Sequence, residues 1–344
     1  MSKTIIVCSR DLDYGTGTQC KYMLKTFDED QTVEKVYFIG PRSAHGYSPK
    51  IFSQVIPVKG KYFITKVPFF AFYCNETIKR LISKNNIDLI TLHSSIMAED
   101  YGIKTEATFH ALHKSIIQNF PKTPTYLIAT AFHLVFSYFD KKTIQNADKV
   151  YFVSDKILTE AKRFYPDYQA KFHLKSNTVD RSLFYPLSEI EKQKVKENLG
   201  LADHKKNILY VGRLEPFKGI LDLIQIIIKL NDPFVRLLII GDGSLVGHVQ
   251  RYPFVKHLGQ LDHEILSKFY NIADIFVFPS KNESYGLALM EAIYCKTPVV
   301  AFKPDGKKYL TASDAMIKHG ENGFLVKDEQ EMLETIRFLI KRGR

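Results

Sequence analysis

The 344-residue sequence predicts an α/β protein built from two doubly wound domains, each a parallel sheet covered by helices. Three observations lead there. Short apolar runs of strand length recur along the whole chain with helix-like stretches between most of them. Several of those runs end in a glycine-containing polar loop that leads directly into a helix, as strands do at the carboxyl edge of a parallel sheet. The length exceeds one ordinary core and suits two domains of roughly 150 to 180 residues. A division after residue 182 gives domains 1–182 and 183–344, joined by a short hinge without a low-complexity linker.

In the first domain, Thr4 to Cys8 reads as a central strand that runs through a polar loop to a helix over Gln19 to Phe27. Gly15, Thr16 and Gly17 make that loop an anion-binding corner, but the third glycine of the dinucleotide fingerprint is missing, which disfavours a nicotinamide or flavin cofactor. Asp11 and Asp13 in the same loop are turn formers, or could hold a divalent ion against a diphosphate. Lys35 to Ile39, Ser53 to Val58, Leu89 to His93, Thr125 to Thr130 and Lys149 to Val153 read as further strands. His93 and His133 then lie at or just past strand ends, where open α/β sheets place ligands. His93 reads as structural, and His133 is open between the two roles. Phe172 to Leu174 and Tyr185-Pro186 close the domain.

The second domain begins with a charged helix, Ser188 to Leu199, and a strand, Asn207 to Val211. The loop Gly212 to Gly219 carries Arg213 and Lys218 into a helix, Ile220 to Leu230. Two cations held at a strand's carboxyl end suit a diphosphate, arginine as a planar fork and lysine as a point charge. Arg236 to Ile240 followed by Gly241-Asp242-Gly243 repeats the corner. Val255 to Gly259, Ala273 to Phe278, Pro298 to Phe302 and Phe324 to Val326 read as the remaining strands, and Glu329 to Lys341 as a helix. Between the strand ending at Phe278 and the helix Leu287 to Tyr294 lies the most informative stretch. Glu283 sits in the loop, Glu291 lies within the helix, and the free N–H groups at Tyr285 to Leu287 point outward between them. That layout fits an elongated ligand with hydroxyls at both ends and phosphates in the middle, the shape of a nucleotide sugar.

Composition narrows the classes further. Cys8, Cys20, Cys74 and Cys295 have no metal-ligand spacing and read as buried thiols of a reducing cytosol. No secretory signal is evident, and the longest apolar stretch, Tyr126 to Phe139, is too short to span a bilayer. Net charge is +11, and between Arg42 and Lys84 eight basic residues face a single acid, Glu76, with aromatics interleaved. No helix-turn-helix, zinc-finger or RNP pattern accompanies them, so nucleic acid is disfavoured against an anionic membrane leaflet or a phosphate-bearing acceptor.

Taken together, residues 147 to 328 resemble the retaining GT-B glycosyltransferases of the large family 4 group. The resemblance rests on Ala147 to Ser154, Asn177 to Asp180 with Phe184 and Pro186, Tyr210 to Leu214 with Lys218-Gly219, and Gly241 to Gly243. It continues through His257 to Gly259, Ala273 to Ser280, Glu283 to Glu291 with Ala292, Pro298 to Ala301, and Glu321 to Val326. It implies two Rossmann-like domains with their sheets facing a central cleft. Arg213 and Lys218 would hold the donor diphosphate, Glu291 the ribose hydroxyls and Glu283 the donor sugar. Ser284, Tyr285, Gly286 and Leu287 would assist the phosphates through the backbone, with Gly212, Gly241 and Gly259 lining the donor site. Gly15 to Gly17 would lie under the diphosphate, and His133 against the donor sugar.

The sequence departs from the family pattern at Tyr14-Gly15, Leu134, Asn177-Thr178 and Phe302-Lys303-Pro304-Asp305-Gly306, the last in place of a glycine pair. It ends at Arg344, where family members continue into a helix that crosses back to the first domain. The expected reaction is retaining transfer of a hexose or N-acetylhexosamine from a UDP- or GDP-linked donor to a glycan, lipid-linked or wall-polymer acceptor bound by loops around Arg42 to Lys66 and Lys104 to Pro124. No cofactor or metal is expected. The expected place is the cytoplasm, with the basic aromatic region 42–84 against the inner membrane face. A non-catalytic glycan-binding subunit and a nucleotide-sugar epimerase on the same fold are the competing readings.

Overall fold

A computed structural model of the chain describes residues 2–9, 16–40, 50–55, 63–93, 96–118, 127–283 and 285–342. These form two compact units, Met1–Thr178 and Val179–Arg344; the boundary expected from sequence falls four residues later.

The first unit holds seven strands: β1 (Lys3–Cys8), β2 (Val33–Gly40), β3 (Ile51–Val55), β4 (Leu89–Leu92), β5 (Thr105–Phe109), β6 (Lys149–Phe152) and β7 (Phe172–Leu174). Their order is β3-β2-β1-β4-β5-β6-β7, and every pairing is parallel. Ile5, Ile6, Val7 and Cys8 of the central strand are all buried, as both faces of a parallel sheet between helices require. The helices are α1 (Thr16–Glu29), α2 (Phe63–Ile82), α3 (His113–Gln118), α4 (Leu127–Asn146) and α5 (Asp155–Phe164).

Two sequence expectations are corrected here. The strand expected over Thr125 to Thr130 is helical from Leu127 on, as the first turn of α4. Its apolar run lacks strand alternation because it belongs to a twenty-residue helix whose inner face, Phe136, Asp140, Thr143 and Ile144, recurs at helical spacing and is almost fully buried. The segment Lys104 to Pro124, expected as acceptor loops, contains β5 and α3 instead. Burial alternates along Thr105-Glu106-Ala107-Thr108-Phe109, so half of this interior strand reads as polar.

The second unit is a six-stranded parallel sheet, β10-β9-β8-β11-β12-β13. Its strands are β8 (Lys206–Val211), β9 (Val235–Ile240), β10 (Val255–His257), β11 (Ile275–Phe278), β12 (Val299–Phe302) and β13 (Gly323–Val326). The helices are α6 (Glu189–Asn198), α7 (Ile220–Leu230), α8 (Val246–Val249), α9 (His263–Ile272), α10 (Leu287–Tyr294) and α11 (Glu329–Arg342). Successive strand residues serve opposite cores. Ile208, Leu237, Ile239, Val277 and Val300 pack under α7 and α11, while Leu209, Leu238, Ile240, Phe276 and Ala301 pack under α9 and α10. The four cysteines are buried and in no disulfide, and no described helix is long and apolar enough to cross a membrane.

Candidate active site

Both sheets reverse their winding once, the first between β1 and β4 and the second between β8 and β11. In open α/β sheets the carboxyl ends of the two strands at such a switch point splay apart and leave a crevice for ligands. In the second unit those ends carry the predicted residues. The loop after β8 contains Arg213 and a single turn of helix, Pro216–Lys218, and the loop after β11 contains Glu283. The two loops are fastened together. Lys281 N–H donates to the Phe217 carbonyl at 3.2 Å, and Lys281 is ion-paired with Asp222 at 2.6 Å. Gly219 (φ +72°) lies so close to Pro279 that a Cβ would sit 2.0 Å from its carbonyl oxygen. Only glycine lets the loops meet this way.

Within this frame Lys218 and Glu283 form an ion pair with each other, their side chains 14% and 22% exposed. Arg213 lies on the same loop, and both cations approach the exposed ring of Phe217, at 5.4 and 5.6 Å from its centroid. Phe217, between them in sequence, thus lies against both charges. The arrangement offers two cations and one carboxylate to a ligand at the switch point. An anionic ligand group at Lys218 competes with Glu283, and a hydroxyl at Glu283 competes with Lys218.

Gly212, Gly241 and Gly259 follow three neighbouring strands and form one continuous edge. Gly212 N–H donates to the Ile240 carbonyl (3.0 Å), Gly241 N–H to the Gly259 carbonyl (2.7 Å). A Cβ on Gly241 would lie 2.0 Å from the Gly212 carbonyl oxygen. Side chains outside the expected site residues lock this edge. His257 Nε2 sits 2.8 Å from the Gly241 carbonyl, and Glu215 accepts from both the N–H and the hydroxyl of Ser244.

Leu287 opens α10, with Gly286 in the left-handed region at its amino end. Ser284 lies outside the described residues. Glu291 is turned into the unit: it is 4% exposed, and the hydroxyl of Tyr270, itself fully buried on α9, donates to its Oε2 at 2.8 Å. Burial pushes its carboxyl up to about 7, against the lowering effect of the Tyr270 hydroxyl. No local pattern marks Tyr270, which stands on a different helix 21 residues upstream.

The nonstandard loop after β12 also has a physical account. Asp305 accepts three successive backbone N–H groups, from Lys307, Lys308 and Tyr309 (2.8 to 2.9 Å), and these donors hold its carboxyl below the usual range. Tyr309 stacks on Phe302 with centroids 4.0 Å apart. The turn delivers Leu310 to the Glu283 segment, where Glu283 N–H donates to its carbonyl (3.1 Å) and its own N–H donates to the Lys281 carbonyl (2.7 Å). The glycine pair of the family pattern is thus replaced by a carboxylate-nucleated turn that supports Glu283.

In the first unit Thr16 and Gly17 form the amino-terminal turn of α1; Gly15, Asp11 and Asp13 lie outside the described residues. Gln19 pairs through its side-chain amide with both backbone groups of Thr178, tying α1 to the last residue of the unit. His133 is inside α4, not at a strand end, and its ring lies 5.3 Å from that of His113. His113 in turn donates its backbone N–H to the fully buried Asp140, with Nδ1 2.9 Å from the other carboxylate oxygen. The strand-end positions belong to His93 after β4 and, unforeseen, His110 after β5, with rings 5.9 Å apart. Burial pushes these imidazoles down to about 3 and about 4, so both are neutral at pH 7. Among the described residues, His93 Nδ1 and His110 Nε2 have no hydrogen-bond partner. No group of three or more metal-ligating side chains occurs among the described residues.

Against this geometry stand the likenesses to known proteins. The family model described as "Glycosyl transferases group 1" matches residues 191–343. The D-inositol 3-phosphate glycosyltransferase of Jonesia denitrificans is 30% identical over 194 residues, covering 52% of this chain and 44% of that protein. The chain therefore spans less than half of that relative's length. Sucrose-phosphate synthase from Thermosynechococcus elongatus superposes with a TM-score of 0.77 at 20% identity, over 98% of this chain and 90% of that one. Anabaena HepE, solved in complex with UDP and glucose, superposes with a TM-score of 0.73 at 18% identity, over 98% and 89%. At these identities the structural likeness is one of fold, the two Rossmann-like domains of GT-B proteins.

Proposed function

We propose that this chain, which through residues 191–343 belongs to the glycosyl transferases group 1, transfers a hexose or N-acetylhexosamine with retention from a UDP- or GDP-linked donor to an acceptor hydroxyl. One observation carries the reading: Arg213, Lys218 and Glu283 converge at the switch point of the second sheet, with Lys218 and Glu283 in direct contact. Cations held there oppose the charge that develops on a departing nucleoside diphosphate, and fixed charges need no reorganisation at the moment of transfer. The amino end of α10 adds backbone N–H groups to the same task. Glu283, once Lys218 turns to the diphosphate, is released to hold the sugar and favour positive charge at the anomeric carbon. Glu291 takes the ribose hydroxyls in this reading.

Among the described residues no side chain is an evident covalent nucleophile, so a front-side displacement is proposed in which the donor phosphate accepts the acceptor proton. The two side-chain cations supply the charge that a divalent ion would otherwise supply. Metal independence is therefore part of the proposal, tested by turnover in excess chelator. In this reading the first unit binds the acceptor, and the neutral rings of His93 and His110, at its strand ends, take the role toward the donor sugar that the resemblance gives to His133. A glycan, lipid-linked or wall-polymer acceptor and an anionic membrane face met by region 42–84 belong to the same proposal. HepE, solved with UDP and glucose, supports a nucleotide-sugar donor.

The test is a thermal-shift panel of nucleotides and nucleotide sugars with wild type and Lys218→Met. A true donor at a hundredfold its Kd stabilises by about 2.7 kcal/mol through mass action, and the variant loses most of that shift. No stabilising nucleotide sugar, or an unchanged shift in Lys218→Met, refutes the reading.

A further inference from the structure

We propose that Phe217 is a positioning residue of the donor site: its ring holds the heads of Arg213 and Lys218 ready for a nucleoside diphosphate without neutralising them. The identity of that ligand rests on the transfer reading, and the part given to an apolar side chain goes beyond it. A single exposed phenylalanine needs no explanation on most protein surfaces. Phe217 is 43% exposed in a loop whose two cations both approach its ring, Arg213 at 5.4 Å and Lys218 at 5.6 Å from the centroid. Both lie within the reach of a cation–π attraction, about 6 Å.

The two contacts are not equivalent. Lys218 follows Phe217 in the chain, so the backbone accounts for part of its proximity, and it has Glu283 as a second partner. Arg213 comes four residues before the ring, and no continuous helix joins them, because Glu215 is extended and only Pro216–Lys218 form a helical turn. Among the described residues the Arg213 guanidinium makes no hydrogen bond or ion pair, and Phe217 supplies the ring it rests on. The loop's own acid is engaged elsewhere: Glu215 accepts from the N–H and the hydroxyl of Ser244.

The backbone on both sides is pinned by other groups. The Tyr210 hydroxyl donates to the Arg213 carbonyl at 2.9 Å, and Leu214 N–H donates to the Asp242 carbonyl at 2.8 Å. Lys218 N–H closes the turn on the Glu215 carbonyl (2.9 Å), and Lys281 N–H reaches the Phe217 carbonyl (3.2 Å). The ring therefore projects from a fixed turn, and the long arginine side chain is the part left to be placed. A carboxylate beside Arg213 would place it too, but it would cancel the charge a diphosphate seeks and would have to be displaced, as Glu283 must be from Lys218. The face of an aromatic ring carries only a partial negative charge. It restricts the cation, leaves its full charge available, and reduces the ordering still to be done when the ligand arrives.

The experiment is calorimetric titration of the full chain with UDP and with GDP. It compares wild type, Phe217→Tyr, Phe217→Leu and a chain carrying trifluorophenylalanine at position 217. Fluorine draws electron density from the ring face while size and apolarity change little. The nucleotide that binds wild type is expected to bind Phe217→Tyr equally well. It is expected to bind the leucine and trifluorinated proteins more weakly, by about twofold to fivefold for each cation released. In an Arg213→Ala background the loss from Phe217→Leu is expected to shrink to the share owed to Lys218, because the ring acts through the arginine. Thermal unfolding of the trifluorinated chain without nucleotide is expected to match wild type, so that lost affinity is not lost fold. Wild-type affinity in Phe217→Leu overturns the inference. So does a trifluorinated ring that serves as well as phenylalanine, which would reduce the role to shape, and so does an equal loss from Phe217→Leu with and without Arg213. Wild type that binds neither nucleotide removes the transfer reading and this inference with it, whereas binding indifferent to the ring removes the inference alone.

Discussion

Replacing Glu291 by glutamine is expected to stabilise this protein at pH 8, although it removes a hydrogen-bonded charge. The carboxyl is 4% exposed and accepts from a single described donor, the Tyr270 hydroxyl, so ionisation there is opposed by burial more than it is helped. Its value rises from 4.5 to about 7, which corresponds to about 3 kcal/mol at about 1.4 kcal/mol per unit. The folded protein holds this proton more tightly than the unfolded chain does. Stability from this site is therefore fully present below pH 4.5, declines as pH rises toward 7, and stays low above it. Glutamine has no charge to desolvate, and its Oε1 still accepts from Tyr270. Thermal unfolding of wild type and Glu291→Gln from pH 4 to pH 8.5 checks this. The variant is expected to match wild type at pH 4 and to melt roughly 6 to 12 °C higher at pH 8, at about 2 to 4 °C per kcal/mol for a unit of this size. A variant that melts at or below the wild-type temperature at pH 8 refutes the reasoning. Under the proposed function the same glutamate is kept for its ribose contact at a cost in stability. Donor affinity in wild type is then expected to strengthen as pH rises through 7, a dependence that Glu291→Gln lacks.

Further expectations concern the frame of the site. Gly219→Ala is expected to cost at least about 2 kcal/mol, from the left-handed backbone and from the clash with the Pro279 carbonyl oxygen; denaturant unfolding measures it, and a neutral result contradicts the close approach of the two loops. Asp305→Ala removes the acceptor of three backbone N–H groups and is expected to speed hydrogen exchange at Glu283 and Leu310, while unchanged protection there rejects its supporting role. A stability cycle of Lys218→Met and Glu283→Gln without ligand is expected to give a coupling of about 1 to 3 kcal/mol, and additivity within about 0.5 denies the pair.

Much of the second unit was legible because its strands are continuous apolar runs that end in glycine loops. The helices Ile220–Leu230 and Leu287–Tyr294 begin and end at the residues their patterns predict. The first unit resisted where one pattern fits two structures. An apolar run such as Tyr126 to Thr130 is compatible with a buried strand or a buried helix, and only the continued helical spacing to Ile144 decides between them. Missing β5 hid His110 and gave His133 a strand-end position it does not have. In the site, glycine and charge spacing announced Arg213, Lys218 and Glu283, because loops at sheet edges are set by local chain geometry. Tyr270 could not be found that way. Its partnership with Glu291 arises from packing of α9 against α10, which no local pattern encodes. Burial of Glu291 follows from the same packing.

In the proposed reaction Arg213 and Lys218 act on a departing nucleoside diphosphate. The most direct measurement is the rate at which purified protein releases or transfers sugar from its best nucleotide-sugar donor, compared with Arg213→Ala and Lys218→Ala. Each variant is expected to lose on the order of 3 kcal/mol of barrier lowering, about a hundredfold in rate, while its thermal stability without donor stays measurable and cooperative. Wild-type turnover in folded protein lacking either cation would contradict it.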